Sequence, residues 1–126
     1  MGSLFLVAVL IIFGVIFFKL IRRKLALRGH EIKADDALQI YESNQYFLDV
    51  RTVEEYKEGH IPGIKLLPLS ELGRRYKEVP TDKEVYIICR SGSRSAEATV
   101  WLLKKGYTNV FNISDGMIRW KGPVEK

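Results

Sequence analysis

The segment that most restricts how this chain can fold is Val85-Tyr86-Ile87-Ile88-Cys89-Arg90-Ser91-Gly92-Ser93-Arg94-Ser95-Ala96-Glu97-Ala98. Val85 to Ile88 is a short β-branched and aromatic run, the pattern of a strand buried on both faces. From Ser93 onward Ala96, Val100 and Leu103 fall at helical spacing, with Trp101 and Leu102 beside them. The only cysteine of the chain stands between strand and helix. A loop curling from a strand end into a helix start points successive backbone N–H groups at one spot, and the helix dipole adds partial positive charge there. Gly92 permits the positive φ that such a curl needs, and Arg90 and Arg94 add full charges within reach. A thiol at the mouth of this loop is expected to ionise easily. A drop of about two units from an ordinary value near 8.5 corresponds to roughly 2.7 kcal/mol in favour of the thiolate. A lone cysteine ending an apolar strand is otherwise a small buried hydrophobe. The arginines, the glycine and the helix start behind Cys89 favour an activated nucleophile facing an anion site.

Cys89-Arg90-Ser91-Gly92-Ser93-Arg94-Ser95 resembles the active-site loop of single-domain rhodaneses, the sulfurtransferase family. Leu48-Asp49-Val50-Arg51-Thr52-Val53-Glu54-Glu55-Tyr56 is similar to that family's first signature, and Gly59-His60-Ile61-Pro62-Gly63 to its second. Asp115-Gly116-Met117-Ile118-Arg119-Trp120 resembles the Gly-Gly-Met-x-x-Trp closing motif, with Asp115 where a first glycine is common. The resemblance runs from about Glu31 to Val124 with the motifs in order. It implies a rhodanese-like α/β fold, a central parallel sheet with helices on both faces. It also implies that Cys89 takes a sulfane sulfur from a small anionic donor such as thiosulfate, or from a persulfide donor. The resulting persulfide then passes its sulfur to cyanide or a thiol, and no cofactor is implied.

Within that resemblance the N–H groups from Arg90 through Ser95 would hold the outer persulfide sulfur. Arg94 is expected to close the cradle and Arg90 to steer anions from solvent. The hydroxyls of Ser91, Ser93 and Ser95 either donate to the anion or turn the backbone, and the sequence leaves both open. Asp49 and Arg51, at a strand end beside the loop, are expected to form an ion pair that fixes loops rather than to touch substrate. His60 lies in a turn and is expected to make a structural hydrogen bond, since a thiolate already formed needs no base. Trp101, Trp120, Phe111 and Tyr107 are read as core, and no residue cluster has metal-ligand spacing.

Two other functions compete. Cysteine phosphatases and arsenate reductases of related fold use Cys-x5-Arg, whereas Cys89 to Arg94 is Cys-x4-Arg, one residue tighter. A non-catalytic membrane-tethered binding module of rhodanese-like fold is the third reading, but such modules usually lack the cysteine that this chain retains.

The front of the chain has a different character. Met1 to Phe18 carries no charged side chain, and Leu4 to Phe18 is an unbroken run of apolar residues and glycine. As a helix the first eighteen residues span about 27 Å, near the hydrocarbon thickness of a bilayer. Lys19 can snorkel, bringing Leu20 and Ile21 into the span. A cleaved signal would want charge before the run and small residues after it, and a myristoylation site would want Ser or Thr where Leu6 stands. The expected division is therefore a transmembrane helix over 1–21, contacting the lipid bilayer, a basic juxtamembrane linker over 22–30 and a rhodanese-like domain over 31–126.

Net charge supports the same division. The chain carries +5, and Lys19, Arg22, Arg23, Lys24 and Arg28 account for all of it before the first acid, Glu31. The domain is balanced, so the basic character gives no argument for a nucleic-acid partner. Positive charge directly after the span predicts a single pass through the cell membrane with the domain on the cytoplasmic side. A single cysteine suits that reducing compartment.

The remaining elements follow from local patterns. Helices are expected over 34–43, from the Thr52-Val53-Glu54-Glu55 capping box to Gly59, over 70–76 with Ser70 as cap, and at 117–120. Asn44-Gln45 is expected as a turn, and strands are expected at 46–50, 64–67 and 110–113 besides the central one. Strands and helices alternating at this spacing indicate a parallel sheet, with the cysteine at a strand's carboxyl end where such sheets place ligands.

Overall fold

Gly2–Ala26 forms one 25-residue helix, α1, with none of its residues buried. The computed structural model describes residues 2–41, 43 and 45–126. Met1 of the expected span, Glu42 of the expected first domain helix and Asn44 of the expected turn lie outside the described residues. By length and composition α1 is able to cross a membrane. It continues through the basic residues to Ala26 instead of giving way to a linker after Ile21. Arg22, Arg23, Lys24, Leu25 and Ala26 are all good helix formers, and the first break is Gly29 at φ +80°.

The domain elements follow in order: β1 Glu31–Ile32, α2 Ala34–Tyr41, β2 Tyr46–Asp49, α3 Val53–Glu58, β3 Lys65–Leu66, α4 Leu72–Arg75, β4 Val85–Ile88, α5 Ser93–Lys104 and β5 Val110–Ile113. Short 3-10 turns flank α4, and a last one spans Met117–Arg119. The sheet order is β1-β5-β4-β2-β3 with every pair parallel. β4 is central, and its side chains alternate as the pleat requires. Val85, Ile87 and Cys89 pack with Leu48, Ala98, Leu102 and Val110 on one face. Tyr86 and Ile88 pack with Phe47, Ile61, Ile113 and Trp120 on the other. Full burial of a residue such as Ile87 is worth about 1.5–3 kcal/mol, so this strand anchors both layers.

The expected capping box is present. Thr52 Oγ1 accepts from the Glu55 N–H and Glu55 Oε1 accepts from the Thr52 N–H, each at 3.2 Å. The expected helix over 70–76 is different. Ser70 sits inside the 3-10 turn Leu69–Glu71 and caps nothing, because the Glu71 N–H bonds back to the Pro68 carbonyl at 2.8 Å and tightens the chain before α4 begins. Tyr107 and Trp120 are buried, whereas Trp101 and Phe111 are only half-buried at the layer edges. Parallel pairing of Asp49 with Ile88 brings the ends of β2 and β4 to one edge of the sheet, and the cysteine loop starts there.

Candidate active site

Backbone geometry aims the loop at the sulfur. Cys89 Sγ accepts from the Gly92 N–H at 3.1 Å, the Ser95 N–H at 3.4 Å and the Ser95 hydroxyl at 3.3 Å. Gly92, at φ +98°, turns the chain back so that its N–H faces inward, and a Cβ there would collide with the Ser114 carbonyl. The opposite side of the loop is held by the closing segment. The Met117 N–H donates to the Cys89 carbonyl at 2.9 Å and the Ile118 N–H to the Arg90 carbonyl at 3.1 Å. With those carbonyls drawn outward, amides remain free to face the thiol. A Cβ on Gly116 would lie 2.5 Å from the Arg90 oxygen and 2.6 Å from the Cys89 oxygen. Asp115, where the family commonly has glycine, accepts from the Ala34 N–H at 2.7 Å and so supports the start of α2.

Cys89 lies deeper than the mouth of the loop, with 1% of its surface exposed. Its Cβ continues the Val85 and Ile87 face into the core, and the loop curls over it. Burial pushes the thiol pKa up. The Ser95 hydroxyl and the amides of Ser95, Gly92 and Ser91 pull it down, and the balance falls below an ordinary thiol. Thr99 Oγ1 donates to the Ser95 carbonyl at 2.7 Å, fixing the first turn of α5 that carries these donors. Arg90, Ser91 and Ser93 are exposed on the rim.

Arg94 engages a carboxylate from a neighbouring helix. Its guanidinium forms a bidentate pair with Glu55, 2.6 and 2.9 Å, across from α3. That pairing holds the Glu55 carboxyl at about 2, mainly through the hydrogen bonds from Arg94. Only the capping role of Glu55 was legible locally; its partner lies far along the chain. Asn112 is a second residue the sequence reading missed. Its Nδ2 donates to the Gly92 carbonyl at 3.3 Å and to Glu31 Oε2 at 3.2 Å. The available signal was an amide in an otherwise apolar strand, Val110-Phe111-Asn112-Ile113.

Asp49 and Arg51 form a buried ion pair, with Arg51 Nη2 2.8 Å from Asp49 Oδ2 and also donating to the Gly59 carbonyl at 2.8 Å. The pair therefore joins the end of β2 to the end of α3. His60 Nδ1 lies 2.8 Å from the Tyr56 carbonyl oxygen, and its ring stacks on Tyr56 at 3.7 Å. Its backbone exchanges two hydrogen bonds with Glu125, 2.9 and 2.8 Å, which secures the C-terminal segment. Among the described residues no group of three or more His, Cys, Asp or Glu is placed to hold a metal ion.

A thiol met by amide donors at the carboxyl end of a parallel strand occupies the place where open α/β sheets put their ligands. Residues 33–123 match the family model described as the rhodanese-like domain, and the chain belongs to that family. YrkF of Bacillus subtilis is 40% identical over 95 residues, 75% of this chain and 48% of the relative. A protein of Allochromatium vinosum named as a sulfurtransferase is 41% identical over 73 residues, 58% of this chain and 68% of the relative. The chain thus spans about half the length of the first of these relatives. The crystal structure of a rhodanese-related protein from Thermoplasma volcanium superposes with a TM-score of 0.71 at 31% identity, covering 76% of this chain and 97% of that one.

Proposed function

We propose that this chain is a membrane-tethered sulfurtransferase in which Cys89 carries sulfur as a persulfide. The observation that carries the reading is the set of three donors converging on one sulfur atom inside a Cys-x4-Arg loop. The Cys89 thiolate attacks the outer sulfur of a donor such as thiosulfate. The S–S bond of the donor breaks, its electron pair leaves with sulfite, and a new S–S bond forms on Cys89. A thiophile, cyanide or a thiol, then attacks the outer sulfur and returns the electron pair to Cys89 as thiolate.

The N–H groups of the loop hold the negative outer sulfur, and they cost no reorganisation because the closing segment already orients them. A thiol at the floor of a tight ring favours delivery of a single atom over a bulky tetrahedral group, which argues against phosphate chemistry. Arg94, paired with Glu55, is committed to fixing the loop, and the exposed Arg90 steers anionic donors. Asp49, Arg51 and His60 hold the surrounding loops. The acceptor is a small anion or thiol, and the same loop serves a persulfide donor equally well.

The apolar helix is read as a single pass through the cell membrane, with the positive charge after it keeping the domain on the cytoplasmic side. Thiocyanate production from thiosulfate and cyanide tests the activity: the native chain yields thiocyanate and Cys89→Ser does not. Phosphatase turnover without persulfide formation overturns the reading.

A further inference from the structure

A crevice beside the membrane-proximal end of the domain plays no part in sulfur chemistry. Past Phe18 the end of α1 lies beside α5, and Arg23 Nη2 donates to the Ser93 carbonyl at 2.6 Å, holding the two helices in a fixed relation. Between them opens a crevice of about 510 Å³. Lys19, Arg22 and Arg23 from α1 and Lys104 from α5 face it, against one acid, Glu97. Ala26, Val100 and Trp101 make its apolar wall. Among the described residues none of those four cations forms an ion pair. Lys105 lies 5.0 Å from the Trp101 ring centroid, adding a fifth cation at the same end of α5.

Position decides what this crevice takes. Lys19 is the first charged side chain of the chain, directly after the apolar run, so the crevice opens at the depth where α1 leaves hydrocarbon. Phospholipid phosphates occupy that depth, and a tryptophan beside clustered Lys and Arg is the side-chain set that suits it. A volume of this size lies within the range that holds a small organic ligand. An excess of cations over a single carboxylate selects an anionic headgroup, and the apolar wall matches the glycerol and upper acyl region attached to it. A free phosphate would leave that wall unused.

We propose that the crevice between α1 and α5 is a binding site for the headgroup of one anionic phospholipid. The proposal rests on the membrane-anchor reading. The bound lipid fixes the domain's attitude to the membrane through Lys104, a residue of the domain itself, and not through the juxtamembrane charges alone.

The test uses the full chain in nanodiscs of equal phosphatidylcholine and phosphatidylglycerol, released into native mass spectrometry. The expected result is one retained phosphatidylglycerol per chain, with Lys104→Glu and Arg22→Glu each lowering that retention by roughly tenfold. Lys65→Glu, on the exposed face of β3, leaves it unchanged. Equal retention of both lipids, or retention by Lys104→Glu matching the native chain, overturns the proposal. Alkaline extraction of membranes separates the two readings. A chain that stays with the membrane but shows no lipid preference sinks the crevice alone, whereas a chain released into the supernatant sinks the anchor and the crevice together.

Discussion

The guanidinium of Arg94 is held in a bidentate pair with Glu55, Nη1 at 2.6 Å from Oε1 and Nη2 at 2.9 Å from Oε2. The pair ties the first turn of α5 to the first turn of α3, about a third of each side chain remaining in solvent. Arg94 is thereby neutralised beside a sulfur whose anionic form is stabilised chiefly by backbone amides and the Ser95 hydroxyl.

Replacing Glu55 with Gln removes a negative charge near the sulfur and leaves Arg94 unmatched, and both changes favour the thiolate. The Cys89 pKa is expected to fall, and alkylation near neutral pH to quicken. The pH dependence of alkylation by iodoacetamide reads this directly. A pKa that rises in Glu55→Gln contradicts the electrostatic account and makes loop order the dominant contribution of the pair.

The same pair has a pH signature in stability. Glu55 titrates at about 2 when folded, against 4.5 without its partner. A depressed carboxyl stabilises the fold fully above the unfolded value, and that contribution is lost as pH falls from about 4.5 toward 2. Urea titrations are expected to show the native chain ahead of Glu55→Gln near neutrality, with the gap closing through that acid window. Added salt narrows the gap, because the pair is partly exposed. A gap independent of pH would exclude the ionic contribution.

Ser95 donates twice to the sulfur, once from its amide and once from its hydroxyl, and Ser95→Ala removes only the second. Loss of that hydrogen bond to the thiolate raises the thiol pKa. Alkylation near neutral pH slows by a few-fold, and the profile shifts to higher pH with its plateau unchanged. An unshifted profile means that the Ser95 hydroxyl only shapes the backbone.

Gly116 is the position where the closing motif meets the loop. Its φ is +60°, and a Cβ would lie 2.5 Å from the Arg90 oxygen and 2.6 Å from the Cys89 oxygen. Gly116→Ala is expected to cost about 1–3 kcal/mol of stability and to push those carbonyls inward, misaligning the amide ring. Persulfide yield falls more steeply than the denaturation midpoint. Full yield in the alanine variant would separate the closing motif from the chemistry.

Local patterns made much of this legible in advance. The capping box at Thr52, the positive φ at Gly92 and the burial of Val85 to Ile88 on both faces are consequences of short-range sterics, hydrogen bonding and alternation. Long-range pairings were not legible. β1 is two residues long, and its strand state comes from bonds such as that from the Ser114 N–H to the Ile32 carbonyl at 2.9 Å. Glu55 and Arg94 meet only because α3 and α5 start at the same edge of the sheet. The depth of Cys89 likewise depends on how far the loop curls back, which no residue pattern encodes. A 3-10 turn stands where Ser70 suggested a plain helix cap, closed by the Glu71 N–H on the Pro68 carbonyl.

The measurement that bears most directly on the account is the intact mass of the protein after thiosulfate treatment and removal of excess donor. The expected result is a gain of about 32 Da, one sulfur atom, carried on Cys89, absent in Cys89→Ser and removed by cyanide. No gain in a chain whose Cys89 still alkylates, or a gain that persists in Cys89→Ser, would contradict it.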